Sequence, residues 1–387
     1  MKLSTLLGIS LIISTSWLIS CSSTVNKGGD QQAVEATSTR WSAEEANKWY
    51  EEQPWLVGCN FSPSTAINQL EMWQSDSFDT LTINKELGWA ADLGFNTVRV
   101  YLHDLVYEQD SAAFLKRMDT FLTIADKHRI KPLFVFFDSC WDPFPQLGKQ
   151  REPKPHVHNS GWVQSPGSEK LKDSTQYPKL ERYIKGVVAH FAQDKRILGW
   201  DLWNEPNNPN KSSYGKVELA DKDSYVYNLL KKTFDWARAS QPSQPLTSGL
   251  WDGGDWSDST ALTPIQRLQL AASDIITFHN YEDPTSFETR IKQLQGYGRP
   301  LLCTEYMARP NQSTFEGSLP IAKKYKVGAY NWGFVDGKTQ TIYAWDSWSK
   351  SYDAPPKVWF HDILRKDGTP YNKEEVALIQ SLTETTN

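Results

Sequence analysis

The sequence predicts a (β/α)8 barrel in a single catalytic domain, and three observations lead there. Eight short apolar runs are spread along the 387-residue chain. The stretches between them place apolar residues three and four apart, the spacing of a helix with one buried face. The C-terminal ends of the runs hold polar or aromatic residues where packing alone would choose Val, Ile or Leu. Strands buried on both faces and joined by amphipathic helices imply a parallel sheet. Eight of them in roughly 320 residues suit a closed barrel, whose usual size is about 250 residues plus insertions. An open doubly wound sheet would carry a Gly-rich turn after the first strand, and "GCNFSPS" is not one.

In chain order, residues 1–21 combine Lys2, an apolar stretch and "LISC". This is a charged n-region and an h-region too short for a confident membrane span. The ending resembles a bacterial lipobox, which would make Cys21 the lipid attachment point. The resemblance implies a protein held at the bacterial cell envelope, and the lack of an acidic run after Cys21 favours the periplasmic face. Residues 22–40 are polar and aperiodic and read as a tether. Residues 41–387 show no composition break and read as the barrel domain.

The runs follow. "PWLVGCNF" leads to Asn60, "FNTVRVYL" carries Arg99, and "KPLFVFFD" ends on Asp138. "ILGWDLWN" delivers Asn204 and Glu205, and "PLTSGLW" ends on Trp251. "DIITFHNY" carries His279 and Tyr281, "RPLLCTEY" carries Glu305, and "VGAYNWGF" carries Trp332. Between the second and third runs, Phe114, Met118, Phe121, Leu122 and Ala125 share a helix face. Between the third and fourth, Leu180, Tyr183, Ile184, Val187, Val188 and Phe191 do the same.

Composition narrows the chemistry. A formal net charge of −5 leaves no nucleic-acid footprint. The chain holds 17 Trp, a residue suited to places where a flat apolar face meets a ligand; about half of them read as core. Cys59, Cys140 and Cys303 lie in or beside apolar runs, cannot all pair, and read as buried free thiols. No CxxC spacing suggests structural zinc, and His156 with His158 forms an H-x-H pair without a visible third ligand, so no metal is expected. The long loop over residues 141–176, rich in Pro, Gly and aromatics, reads as a wall of a substrate cleft.

Glu205 and Glu305 end the fourth and seventh runs, across a barrel mouth from each other. Two facing carboxylates are what glycosidic bond cleavage needs: one protonates the leaving oxygen, the other attacks or activates water. "WDLWNEP" and "LLCTEY" resemble the acid/base and nucleophile motifs of glycoside hydrolase clan A, and most closely the family 5 cellulase-like group. The resemblance spans about residues 51–375 and includes "GFNTVRVY", "FHNY", "YNWGF" and "VWFHDILRKDGTPYNKEE". It implies Glu205 as general acid/base, Glu305 as nucleophile and Asn204 as the partner of the sugar 2-hydroxyl. It further implies Arg99 as the arginine that keeps the nucleophile ionised, His279 and Tyr281 as a pair beside nucleophile and leaving group, and Trp332 as the floor under the reacting sugar. In one departure Cys140 stands in "FFDSCWDP" where family 5 members usually carry His. Asp138, Trp141 or Asp142 are then expected to supply sugar contacts, with Trp251 on the rim.

The expectation is a retaining glycosidase acting on a β-linked oligo- or polysaccharide of glucan, mannan or xylan type, without cofactor. A transglycosylase of the same mechanism and a non-catalytic glycan-binding lipoprotein are the alternatives. The sugar accepted, and endo versus exo action, are left open.

Overall fold

A computed structural model describes residues 40–384; Cys21 and all of the tether but Arg40 lie outside them. Eight strands alternate with helices: β1 Val57–Asn60, β2 Thr97–Tyr101, β3 Lys131–Asp138, β4 Gly199–Asn204, β5 Leu246–Thr247, β6 Ile276–His279, β7 Leu301–Tyr306 and β8 Gly328–Asn331. All pair in parallel in the order β5-β4-β3-β2-β1-β8-β7-β6. A parallel bridge between Leu250 and Phe278 joins the two ends, so the sheet closes into the (β/α)8 barrel.

The predicted helix faces bury as read. In the helix Ser111–Lys127 the buried residues are Phe114, Met118, Phe121, Leu122 and Ala125. In Tyr177–His190 they include Leu180, Tyr183, Ile184, Val187 and Val188. The fifth strand is shorter than its apolar run: the Ser248 N–H goes to Ser273 Oγ at 3.2 Å, which takes it out of the ladder before Leu250 rejoins β6. Gly58 is required where β1 approaches β2, because a Cβ there would lie 1.8 Å from the Thr97 carbonyl oxygen.

The two barrel ends differ chemically, and this places the site. A helix over Ala43–Glu51 covers the end where the strands begin. Ser42 and Glu45 form a reciprocal capping box at its start. Its Ala46 and Tyr50 pack on Leu56, Leu133, Leu198, Ile275, Leu302 and Tyr330, all near strand starts. That end is sealed with apolar groups, so polar chemistry is left to the mouth where the strands finish. Among the described residues no helix is long and apolar enough to cross a membrane.

Candidate functional site

Strand β4 is apolar because it is buried throughout, and it spends that rigidity on aiming one side chain. Glu205, the next residue, sits at φ 42°, in the left-handed region. A non-glycine residue held there costs on the order of 1–3 kcal/mol and persists only when its surroundings fix it. Here the Asn208 N–H closes a turn onto the Glu205 carbonyl at 2.9 Å, and Ser139 Oγ donates to the Pro206 carbonyl at 2.6 Å. Lys222, buried on the following helix, donates to the Asn208 carbonyl at 2.6 Å and pairs with Glu218 at 3.0 Å.

Glu205 and Glu305 face each other with His279 between them. A carboxylate oxygen from each and a His279 ring nitrogen all lie within 4.8 Å of one another. Three donors reach each carboxylate. Glu305 Oε1 accepts from Arg99 Nη1 at 2.9 Å and Tyr101 Oη at 3.0 Å, and its Oε2 accepts from Tyr281 Oη at 2.8 Å. Glu205 Oε2 accepts from Asn208 Nδ2 at 2.5 Å and the Cys140 thiol at 3.2 Å, while Oε1 lies 2.9 Å from His279 Nδ1. Burial pushes the Glu205 carboxyl above the ordinary glutamate value, against the hydrogen bonds from Asn208 and Cys140. Burial lowers His279 to about 4, so the imidazole is neutral at pH 7. A neutral ring can donate from Nδ1 to ionised Glu205, or accept there when Glu205 is protonated.

Arg99 is the hub. Its Nε and Nη2 fork onto Asp201 Oδ2 at 3.0 and 2.8 Å, Nη2 also reaches Asn204 Oδ1 at 2.8 Å, and Nη1 reaches Glu305. Arg99 and Asp201 are fully buried. Arg99 was expected to hold Glu305 ionised, and its charge does act in that direction. Burial still outweighs it, with Glu205 opposite adding to the effect, and the Glu305 carboxyl lies above its ordinary value.

These groups open into a cavity of about 680 Å³. Asn204, Glu205, His279, Tyr281, Glu305 and Trp332 line it, as do Trp141 and Trp251. Asp138 does not. Its carboxylate is saturated from behind, by Trp162 Nε1 at 2.6 Å, Asn204 Nδ2 at 3.0 Å and the Cys140 N–H at 3.0 Å. Asp138 therefore orients Asn204 from behind the cavity wall, where the sequence reading expected it among the groups facing the cavity. Asp142 is likewise off the cavity, held by Arg151 at 3.1 Å. His156 and His158 do not converge on a metal: their Nδ1 atoms go to the carbonyls of Tyr352 at 2.5 Å and Tyr343 at 2.8 Å.

Sequence reasoning missed Asp201, Tyr101, Asn208 and Trp345, the last of which lines the cavity edge-on to Tyr281 at 5.0 Å, and read Cys140 as a buried thiol. Cys140 is half-buried, lines the cavity and touches Glu205. Burial raises its thiol well above the usual range, so it stays an S–H donor. Donation favours the ionised form of Glu205, and its loss raises the Glu205 pKa. Cys140→Ala should therefore shift the alkaline limb of the kcat/KM profile to higher pH, and Cys140→Ser, which keeps a donor, should restore it. A pH–rate series on the two variants checks this.

With this geometry in view, the comparisons with known proteins are specific. The family model described as Cellulase (glycosyl hydrolase family 5) matches residues 58–351. A curated relative, the 1,3-beta-glucanosyltransferase gel1 of Aspergillus fumigatus, is 27% identical over 175 residues, 40% of this chain and 34% of the relative. The chain thus spans about a third of that relative's length. Among solved structures, the exo-beta-1,4-mannosidase Op5Man5 from Opitutaceae bacterium strain TAV5 superposes with TM-score 0.57 at 17% identity, over 85% of this chain and 59% of that one. The beta-1,4-D-mannanase from Cryptopygus antarcticus gives 0.55 at 12% identity, over 86% and 91%. At these identities the two structures speak to the fold alone. The family match covers most of the barrel, from β1 past β8, and the chain belongs to the cellulase family of glycoside hydrolases, family 5.

Proposed function

We infer that the protein is a retaining glycosidase that cleaves a β-linked glycan by double displacement, with Glu305 as nucleophile and Glu205 as acid/base. The observation that carries this is the spacing: oxygens of the two carboxylates lie within 4.8 Å. Retaining enzymes hold their carboxyl groups about 5–5.5 Å apart, whereas inverting ones need about 6.5–9.5 Å to admit a water.

The surroundings support this division of roles. Glu305 takes its hydrogen bonds from a guanidinium and two phenols, donors that favour a charged carboxylate. Glu205 faces a neutral imidazole, an amide and a thiol, and has no cation in contact. In the first step Glu305 attacks the anomeric carbon while Glu205 gives its proton to the leaving oxygen. In the second, Glu205 takes a proton from water as that water attacks the glycosyl–Glu305 ester. Asn204, with Oδ1 on Arg99 and Nδ2 on Asp138, also points Nδ2 at the Cys140 sulfur at 3.5 Å, a long bond to a weak acceptor that a sugar 2-hydroxyl can displace.

Transglycosylation is the second reading, favoured by the one curated relative described above, a glucanosyltransferase. Trp251 on the rim offers a surface on which an acceptor sugar could replace water. Sugar release from β-glucans, mannans, xylans and aryl β-glycosides, with products sorted into shortened and lengthened chains, identifies the substrate and separates the two. Anchoring at Cys21 is proposed on sequence grounds, and the partition of wild type and Cys21→Ser between membrane and soluble fractions tests it.

A further inference from the structure

The cavity has two unlike ends. Glu205 belongs to one of them: its loop meets the rim where Trp251 Nε1 donates to Asn207 Oδ1 at 3.0 Å. Lys211, further along the same loop, lines the cavity and is exposed. The acid/base protonates the leaving oxygen, so the leaving group lies on this side. Glu305 belongs to the other end. Tyr101, its hydrogen-bond donor, is edge-on to Trp332 at 5.8 Å and to Trp162 at 5.2 Å. The sugar that is attacked therefore sits toward Trp332.

Past Trp332 the cavity wall is built from two segments tied together. The 141–176 loop crosses to the segment after β8 and is bonded to it repeatedly. Asn159 N donates to the Thr339 carbonyl at 2.8 Å, His156 N to Gln340 Oε1 at 2.8 Å, and His158 N to Ser347 Oγ at 3.0 Å. Gln340 Nε2 returns a bond to the Lys154 carbonyl at 2.7 Å. Trp141 stacks on Trp348, centroids 5.5 Å apart and planes 12° from parallel, and Tyr214 packs edge-on against the same Trp348.

Set in this wall is Asn159. Its backbone is left-handed, φ 47°, and its carbonyl accepts from Trp162 N at 3.1 Å, which fixes it beside the Trp332 floor. The residue is 1% exposed, yet neither Nδ2 nor Oδ1 has a partner among the described residues. It lines both the main cavity and a small side cavity of about 30 Å³ shared with Trp332. A buried amide with donor and acceptor both unused is rare in a folded protein and calls for a partner. One donor and one acceptor on a planar group match a pair of neighbouring sugar hydroxyls. Beside it, His158 gives Nδ1–H to the Tyr343 carbonyl, which leaves Nε2 as an acceptor on a residue that also lines the cavity.

We propose that Asn159 is a specificity residue, its amide binding hydroxyls of the non-reducing terminal sugar at a closed end of the cleft, so that the enzyme removes sugars one at a time from that end. This rests on the assignment of Glu305 and Glu205 made above and adds direction and terminal recognition to it.

The test uses an oligosaccharide of the preferred linkage, tagged at its reducing end, in two forms: terminal sugar free, or O-methylated. Wild type should shorten the free form by single sugars and act on the methylated form at least about 100-fold more slowly. Asn159→Gly, which keeps the left-handed backbone and deletes the amide, should lower kcat/KM on the free form by about 30-fold or more while unfolding at an unchanged or higher temperature. Gln340→Ala, which loosens the wall, should bring back cleavage of the methylated form. Internal cutting of the methylated form by wild type at the rate of the free form would overturn exo action. Unchanged kcat/KM in Asn159→Gly would overturn the role of the amide, showing that water suffices as its partner. Failure of wild type to cleave either form, or any glycan in the panel, would sink the glycosidase reading itself and this inference with it.

Discussion

Glu305→Ala should lose about five orders of magnitude in kcat, roughly 7 kcal/mol of transition-state stabilisation. The loss is that large because the carboxylate forms the bond that splits one difficult displacement into two easier ones, and its nearest neighbours cannot take its place. His279 is neutral and turned toward Glu205, and the Tyr281 hydroxyl donates to Glu305. Azide distinguishes the two glutamates. In Glu305→Ala it fills the vacated space and should restore turnover with inversion, giving the α-glycosyl azide. In Glu205→Ala, with an activated aryl glycoside, the glycosyl-enzyme still forms, and azide should release it from the opposite face as the β-glycosyl azide. Product stereochemistry read by NMR assigns each residue. If the two variants gave the same azide, or if azide rescued neither, the division of roles would be wrong.

The second large effect is expected at Arg99. Its guanidinium serves Glu305, Asp201 and Asn204 together, with no exposure to solvent. Arg99→Ala strands Asp201 as a buried carboxylate without its counter-charge, which costs on the order of 3–5 kcal/mol of stability. It also removes the cation that opposes the burial-driven rise of the Glu305 pKa. Glu305 must be ionised to attack, so a further rise moves the acid limb of the kcat/KM profile to higher pH. Arg99→Lys keeps a charge but cannot fork. It should fold better than Arg99→Ala, yet still lose about 100-fold or more in kcat, in line with removing one preorganised electrostatic contact. Thermal unfolding and pH–rate profiles of the two variants separate the structural part from the catalytic part.

Much of this was legible in the chain because barrel chemistry sits where strands end. Runs buried on both faces are easy to find, and the polar residue that terminates each is then conspicuous, as with Glu205 after "GWDLWN" and Glu305 in "LLCTEY". Asp201 could have been found the same way. A carboxylate inside a run of Trp and Leu must meet a cation, and Arg99, two strands away, is a buried one in mid-strand. The helix Ala43–Glu51 went unread, although Ser42 and Glu45 stand at capping-box spacing at its start. Asp138 was misjudged because strand position gives proximity but not occupancy: three donors from Trp162, Asn204 and Cys140 had already claimed its oxygens. Asn208, Trp345 and Asn159 were beyond reach for another reason. They lie on loops whose paths are set by bonds to other loops, such as Asn159 N to the Thr339 carbonyl, 180 positions along the chain, and no local pattern encodes such a meeting.

The configuration of the first product decides whether Glu305 and Glu205 act as nucleophile and acid/base in a double displacement. An aryl β-glycoside of the accepted sugar is turned over in the NMR tube, and the anomeric signal is followed before mutarotation sets in. Two successive inversions predict the β-anomer first, with the α-anomer growing only later as the free sugar equilibrates. The α-anomer appearing first would mean a single displacement by water, and the close pair of glutamates would not be working as nucleophile and acid/base.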